Sequence, residues 1–123
     1  GYALAFHGAP RTTGDLDILV RPHPDNAERI LRALADFGFA SLGLQAEDFT
    51  QADRVVQLGY PPVRVDLITS LSGVSWDQVE AGLVEGAYGP AAVRFIGRAD
   101  LVANKRATGR RKDLADLEAL GEL

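Results

Sequence analysis

Asp15 and Asp17 sit two residues apart in "RTTGDLDILV", a stretch that opens as a polar turn and ends as an apolar strand. Side chains two apart on a strand point the same way, so both acids share a face, opposite Leu16 and Ile18. A second apolar segment, "VRVDLI", carries Asp66 beside Arg64 and Ile68 on one face, with Val63, Val65 and Leu67 on the other. A carboxylate is costly to bury unless something neutralises it, and several together repel. If these strands are neighbours, the three acids form an all-oxygen cluster. Such a cluster suits Mg²⁺, which keeps waters and adds substrate phosphates to its shell. Two such ions about 3.5–4 Å apart activate an attacking hydroxyl and steady a leaving pyrophosphate. An Asp-x-Asp pair alone is more often a solvated strand face. The third acid, on a second apolar strand, turns the pair toward metal.

Period and punctuation predict the elements that must hold these acids. "YALAFHG" predicts a short helix stopped at Gly8, and "APRTTG" a turn. Leu16, Ile18 and Val20 alternate with period two, as in a half-buried strand. "PDNAERILRALADFGF" predicts a helix with a capping box from Asp25 and Glu28. Its apolar stripe is Ala27, Ile30, Leu31, Leu34 and Phe37, and Gly38 ends it. Residues 39–53 are weakly patterned and predict a loop with one short helical turn. "RVVQLGYPPVRVDLIT" predicts two strands joined at "GYPP". "SWDQVEAGLVEGAYG" predicts a helix capped by Ser75, with Gln78 three residues on, and "AAVRFIG" a short strand. "RADLVANKRATG" and "RRKDLADLEAL" predict two helices broken near Gly109, the second burying Leu114, Leu117 and Leu120. The sum is one α/β domain over residues 1–123, a mixed β-sheet flanked by helices.

Composition agrees with that class. A chain of 123 residues with 46% hydrophobic and 24% charged residues can bury one core. The longest uncharged stretch, "LITSLSGVSW", is too short and polar to span a bilayer. There is no cysteine, which excludes disulfides and thiolate metal sites and leans toward a cytoplasmic setting. A net charge of −4 argues against coating nucleic acid by counterion release. Charge is uneven, however: "KRATGRRK", residues 105–112, holds five cations in eight positions. Such a run is most often a solvated helix end; beside a triphosphate site it becomes a phosphate or RNA contact.

Taken together, "GYALAFHGAPRTTGDLDILV" and "VRVDLIT" resemble the signature of the nucleotidyltransferase superfamily of the DNA polymerase β type. That signature is a glycine motif, a short helix ending in His-Gly or similar, an Arg-x-Thr turn, Asp-x-Asp on a strand and a third acid on a later strand. "DLVANKRATGRRKDLADLEAL" is similar to the minimal bacterial branch that includes abortive-infection-type toxin nucleotidyltransferases. The resemblance covers nearly the whole chain. It implies the polymerase-β-type fold and transfer of a nucleoside monophosphate from an NTP, with Mg²⁺, to a hydroxyl or phosphate acceptor. A tRNA end or a protein side chain is the acceptor if the toxin likeness holds, with an antitoxin-like protein as a further partner. It also implies that Asp15 and Asp17 bind both metals, and that Asp66 completes the second site and helps activate the acceptor. Gly1 would face the triphosphate as the last glycine of the phosphate-cradling turn. Lys105 is the candidate for the triphosphate, and Arg11 for phosphate or for pairing with the acids. One departure stands out: only one glycine remains where the family has Gly-Gly or Gly-Ser. The chain begins at Gly1 rather than Met, so residues are expected upstream; with the first glycine among them the motif is whole, and without it the phosphate cradle is crippled.

Plainer roles compete at several positions. His7 reads as a cap or packing residue rather than a catalyst, and Trp76 as a core or staple residue rather than a base-stacking platform. Asp113 and Asp116 either pair locally with Lys112 or Arg110, or hold Lys105 in position, the structural role preferred here. The alternative to an enzyme is a degenerate module that holds nucleotide or a partner protein without turnover.

Overall fold

The computed structural model describes residues 2–8, 15–60 and 63–122, apart from the side chains of Leu4, Asp15 and Val63. The chain is mixed α+β. Its order is α1 (Tyr2–Phe6), β1 (Asp15–Leu19), α2 (Pro24–Asp36), β2 (Val55–Tyr60), β3 (Val63–Ile68), α3 (Trp76–Ala81), β4 (Val84–Tyr88), β5 (Ala91–Phe95), α4 (Arg98–Thr108) and α5 (Arg111–Ala119). It divides into two compact units, residues 14–70 and residues 1–13 with 71–123. No helix among the described residues is long and apolar enough to cross a membrane.

In the first unit β3 is the central strand, parallel to β1 and antiparallel to β2. This three-stranded sheet is mixed, as expected, whereas β4 and β5 form a separate two-stranded sheet. Val20, Leu58 and Leu67 bury one of its faces with Ala27 and Leu34 of α2 and with Phe49. Three details depart from the sequence reading. Helix α2 is capped by His23, not Asp25: its Nδ1 accepts the Asp25 backbone N–H at 3.2 Å. Pro24 then occupies the first helical position, where its missing donor costs nothing. Phe37 is 80% exposed, because it follows the last helical residue, and Phe39 packs on the core instead. Phe49 is fully buried on a 3-10 turn, Ala46–Phe49, whose three-residue period hides from a search for α-helical stripes.

The second unit is built on Leu101, Val102, Leu117 and Leu120, with Ala3 and Ile96 packed against them. Ser75 and Gln78 form the expected capping box: Ser75 Oγ accepts the Gln78 N–H at 3.2 Å, and Gln78 Oε1 the Ser75 N–H at 2.8 Å. The helix it starts stops at Ala81, half as far as the segment was expected to run. Residues 84–88 instead pair with 91–95 as an antiparallel hairpin. Gly82 and Gly86 are poor helix residues, and the second has a packing reason to be glycine. A Cβ on Gly86 would stand 2.7 Å from the Phe6 ring and 2.8 Å from that of Phe95. Those two rings stack with centroids 4.3 Å apart. Gly109, at φ +60°, supplies the left-handed residue that separates α4 from α5.

Candidate active site

Asp17 and Asp66 lie on the sheet face opposite its core. In the parallel β1–β3 ladder Asp17 is directly in register with Asp66, and Asp15 with Arg64. Register partners on neighbouring strands present the same face, so Asp17 and Asp66 stand side by side. Gln57 of β2 flanks Asp66 on the other side. Asp17 is exposed on the edge strand, whereas Asp66, on the central one, is only 6% exposed. That buried charge is neutralised along its own strand. Arg64 Nε lies 3.1 Å from Asp66 Oδ1, and Arg64 Nη2 donates to Oδ2 at 3.2 Å. One of these contacts is a charge-assisted hydrogen bond, about twice as strong as a neutral one, and the other is an ion-pair contact outside hydrogen-bonding geometry. Sequence reasoning placed Arg64 on the acids' face but gave it no task.

Of the other predicted site residues, Gly1, Arg11 and the side chain of Asp15 lie outside the described residues, as does the predicted turn before β1. Among the described residues no group of three or more His, Cys, Asp or Glu is gathered tightly enough to hold a metal ion. Asp17 and Asp66 nonetheless form an oxygen-only donor pair in direct register, the ligand chemistry a hard cation such as Mg²⁺ takes.

His7 and Trp76 have structural partners. His7 Nε2–H donates to the Ile96 carbonyl at 2.7 Å, and Trp76 Nε1–H donates to Glu80 Oε2, one helical turn on, at 2.6 Å.

The second unit holds a buried ion network that explains much of "KRATGRRK". Leu114 was expected in the buried stripe of α5 but is 44% exposed. The buried stripe is instead Asp113, Asp116, Leu117 and Leu120, the i, i+3, i+4, i+7 pattern with acids in two of its places. Lys105 Nζ lies 2.9 Å from Asp116 Oδ2 and 3.4 Å from Asp113 Oδ1, with its side chain 12% exposed. Asp113 also accepts from Thr108 Oγ1 at 2.8 Å, and from the Arg110 backbone N–H at 3.1 Å, Nε at 2.7 Å and Nη2 at 3.3 Å. Burial pushes the Asp113 carboxyl up, but the Arg110 guanidinium, the Thr108 hydroxyl and the Arg110 backbone donor together hold it well below the usual carboxylate range. The same pairing raises Arg110. Two acids and two cations close to neutrality, the condition for burying either sign. Arg106 pairs with Glu122 at 3.6 Å, and Arg111 and Lys112 are exposed. Asp113 and Asp116 thus hold Lys105, and Asp113 also pairs locally with Arg110, so the two expected roles coexist.

Lys105→Met is therefore expected to lower the thermal midpoint without any nucleotide. Its hydrogen bond to the Asp113 carboxylate is of a kind worth about 1.5–3 kcal/mol, while Asp113 keeps Arg110. Arg32→Ala, on the exposed face of α2, is expected to change stability by less than about 0.5 kcal/mol. Equal midpoints for the two variants would mean that the Lys105 network carries no stability.

Neither a protein-family model, a curated protein nor a solved structure matches the chain. The functional case rests on the residues themselves.

Proposed function

We propose that the chain is a metal-dependent nucleotidyltransferase of the polymerase β type, moving a nucleoside monophosphate from an NTP to an acceptor oxygen. The supporting observation is the direct register of Asp17 with Asp66, one residue from each of the two acid-bearing strands. The motif order of the sequence, from "FHG" through "DLD" to "VRVDLIT", supports it independently. In this reading Asp15, Asp17 and Asp66 hold Mg²⁺, which when bound lowers the charge barrier between nucleophile and triphosphate and steadies the leaving pyrophosphate. The acceptor oxygen attacks the α-phosphorus, the bond to the β-phosphate oxygen breaks, and pyrophosphate leaves. The acceptor's proton is lost toward the carboxylate face. The sheet's part is to fix two carboxylates on adjacent strands before substrate arrives, so that little reorganisation is left for the transition state. A tRNA end or a protein side chain enters as the proposed acceptor.

One observation favours a second reading. Arg64 already engages both oxygens of Asp66, an arrangement that suits a module holding nucleotide or a partner protein without turnover.

Thermal melts with and without Mg²⁺ and an NTP test the nucleotide step. A ligand that binds only the folded state stabilises by mass action, about 2.7 kcal/mol at a hundred times its Kd. Mg²⁺ with NTP is expected to raise the midpoint of wild type, with a smaller rise for Asp66→Asn. No rise at millimolar Mg²⁺ and NTP would remove the enzyme and the nucleotide-holding module, and leave only a partner-binding one.

A further inference from the structure

Arg64 pairs with Asp66: Nη2 donates to Oδ2 at 3.2 Å, Nε lies in ion-pair contact with Oδ1 at 3.1 Å, and the arginine side chain is 27% exposed. Both oxygens of the buried acid face one guanidinium. On the neighbouring strand Asp17 is in register with Asp66, and Asp15 with Arg64, so the cation belongs to the same face as the acids. A divalent ion that takes Asp66 as a ligand must approach the oxygens the guanidinium already holds, against its positive charge. We propose that Arg64 is an internal counter-ion that competes with a divalent cation for Asp66 and so sets how weakly the nucleotide-free protein takes up metal. This rests on the metal-dependent reading of the same acids.

The charge count supports competition rather than simple support. The formal charges of Asp17 and Asp66 sum to −2, enough to balance one divalent ion, and Arg64 cuts that to −1. Arginine suits such a post because its planar fork fits carboxylate and phosphate alike, so it can exchange one for the other without a new geometry. A lysine would hold Asp66 through one point only. Arg64 is thus a positioning residue: it acts on the reaction through Asp66.

The test is Mn²⁺ binding to the full chain without nucleotide, read from the paramagnetic resonance of the free ion, with parallel melts in chelator and in Mn²⁺. Arg64→Gln is expected to bind Mn²⁺ at least about tenfold more tightly than wild type, the size of one like charge removed at contact distance even with water-like screening. In chelator it should melt below wild type, because Asp66 has lost its counter-ion, and Mn²⁺ should recover more of its midpoint than it adds to wild type. Arg64→Lys keeps the charge, loses the two-point contact and guards against failure of the first variant to fold. It is expected to bind Mn²⁺ more tightly than wild type by a smaller factor. Wild-type affinity in both variants, with Asp17→Asn still weakening Mn²⁺ binding, would overturn the competition and leave the metal reading standing. No Mn²⁺ binding by wild type or any variant at millimolar ion would overturn both.

Discussion

Asp17→Asn is expected to cut transfer of labelled nucleotide by about 10²–10³-fold or more while leaving the fold intact. Asp17 is exposed on an edge strand, and substitutions at such positions usually move stability by less than about 0.5 kcal/mol. Its neighbour in register is another carboxylate, so removing its charge relieves repulsion, and the midpoint is expected to stay level or rise slightly. Asparagine keeps the shape and volume and loses the charge that a metal needs. Separating a large loss of rate from an unchanged fold is what distinguishes a transition-state role from a structural one. The measurement is transfer from labelled NTP to total cellular RNA and to the protein itself, beside a melt of the same preparation. Wild type that binds NTP yet labels no acceptor would favour the binding module. A variant destabilised by several kcal/mol, with wild type taking up no metal, would make Asp17 structural and end the enzymatic reading.

Asp113→Asn is expected to have the largest effect on stability, about 3–5 kcal/mol, the usual cost of removing one partner from a buried ion pair. Asp113 is 0% exposed, and donors from Lys105, Thr108 and Arg110 all aim at its two oxygens. An amide turns one of those acceptors into a donor facing donors. For a domain of this size the cost corresponds to a fall in midpoint of more than about 10 °C.

The pH dependence carries the sign. The folded carboxyl of Asp113 is held below its unfolded value, so the unfolded chain takes up the proton first as pH falls. The stability it contributes is whole above the unfolded value of about 3.9 and is lost as pH drops through the lower folded one. Wild type should therefore lose its advantage over Asp113→Asn progressively below about pH 4. Melts of the two proteins between neutral pH and strong acid check this. A gap independent of pH would mean that the loss lies in packing rather than in the charge.

Much of this protein was determined by sequence alone, where the signal is local and periodic. Leu16, Ile18 and Val20 alternate because a sheet face must be apolar to be buried, and the strand follows. Ser75 and Gln78 specify a helix start because each satisfies the other's backbone donor, a matter of three residues. The Asp15, Asp17 and Asp66 pattern names a chemistry before any coordinates, since acids on apolar strands need a reason.

Tertiary structure decided what depends on partners distant in the chain. Periodicity cannot say which strand neighbours which; the parallel β1–β3 register does, and it sets Asp17 beside Asp66 across 49 residues of chain. Residues 84–88 read as helix until Ala91–Phe95 offers them a pairing edge and the rings of Phe6 and Phe95 occupy the space above Gly86. Hydrophobic patterning counts apolar residues, so it put Leu114 in the buried stripe of α5 and gave Asp113 and Asp116 no place there. They are buried because Lys105 and Arg110 reach them from the preceding turn and helix, and a charge goes inside only when its counter-charge goes with it. The same rule governs Asp66, whose counter-charge, Arg64, lies two residues away on its own strand.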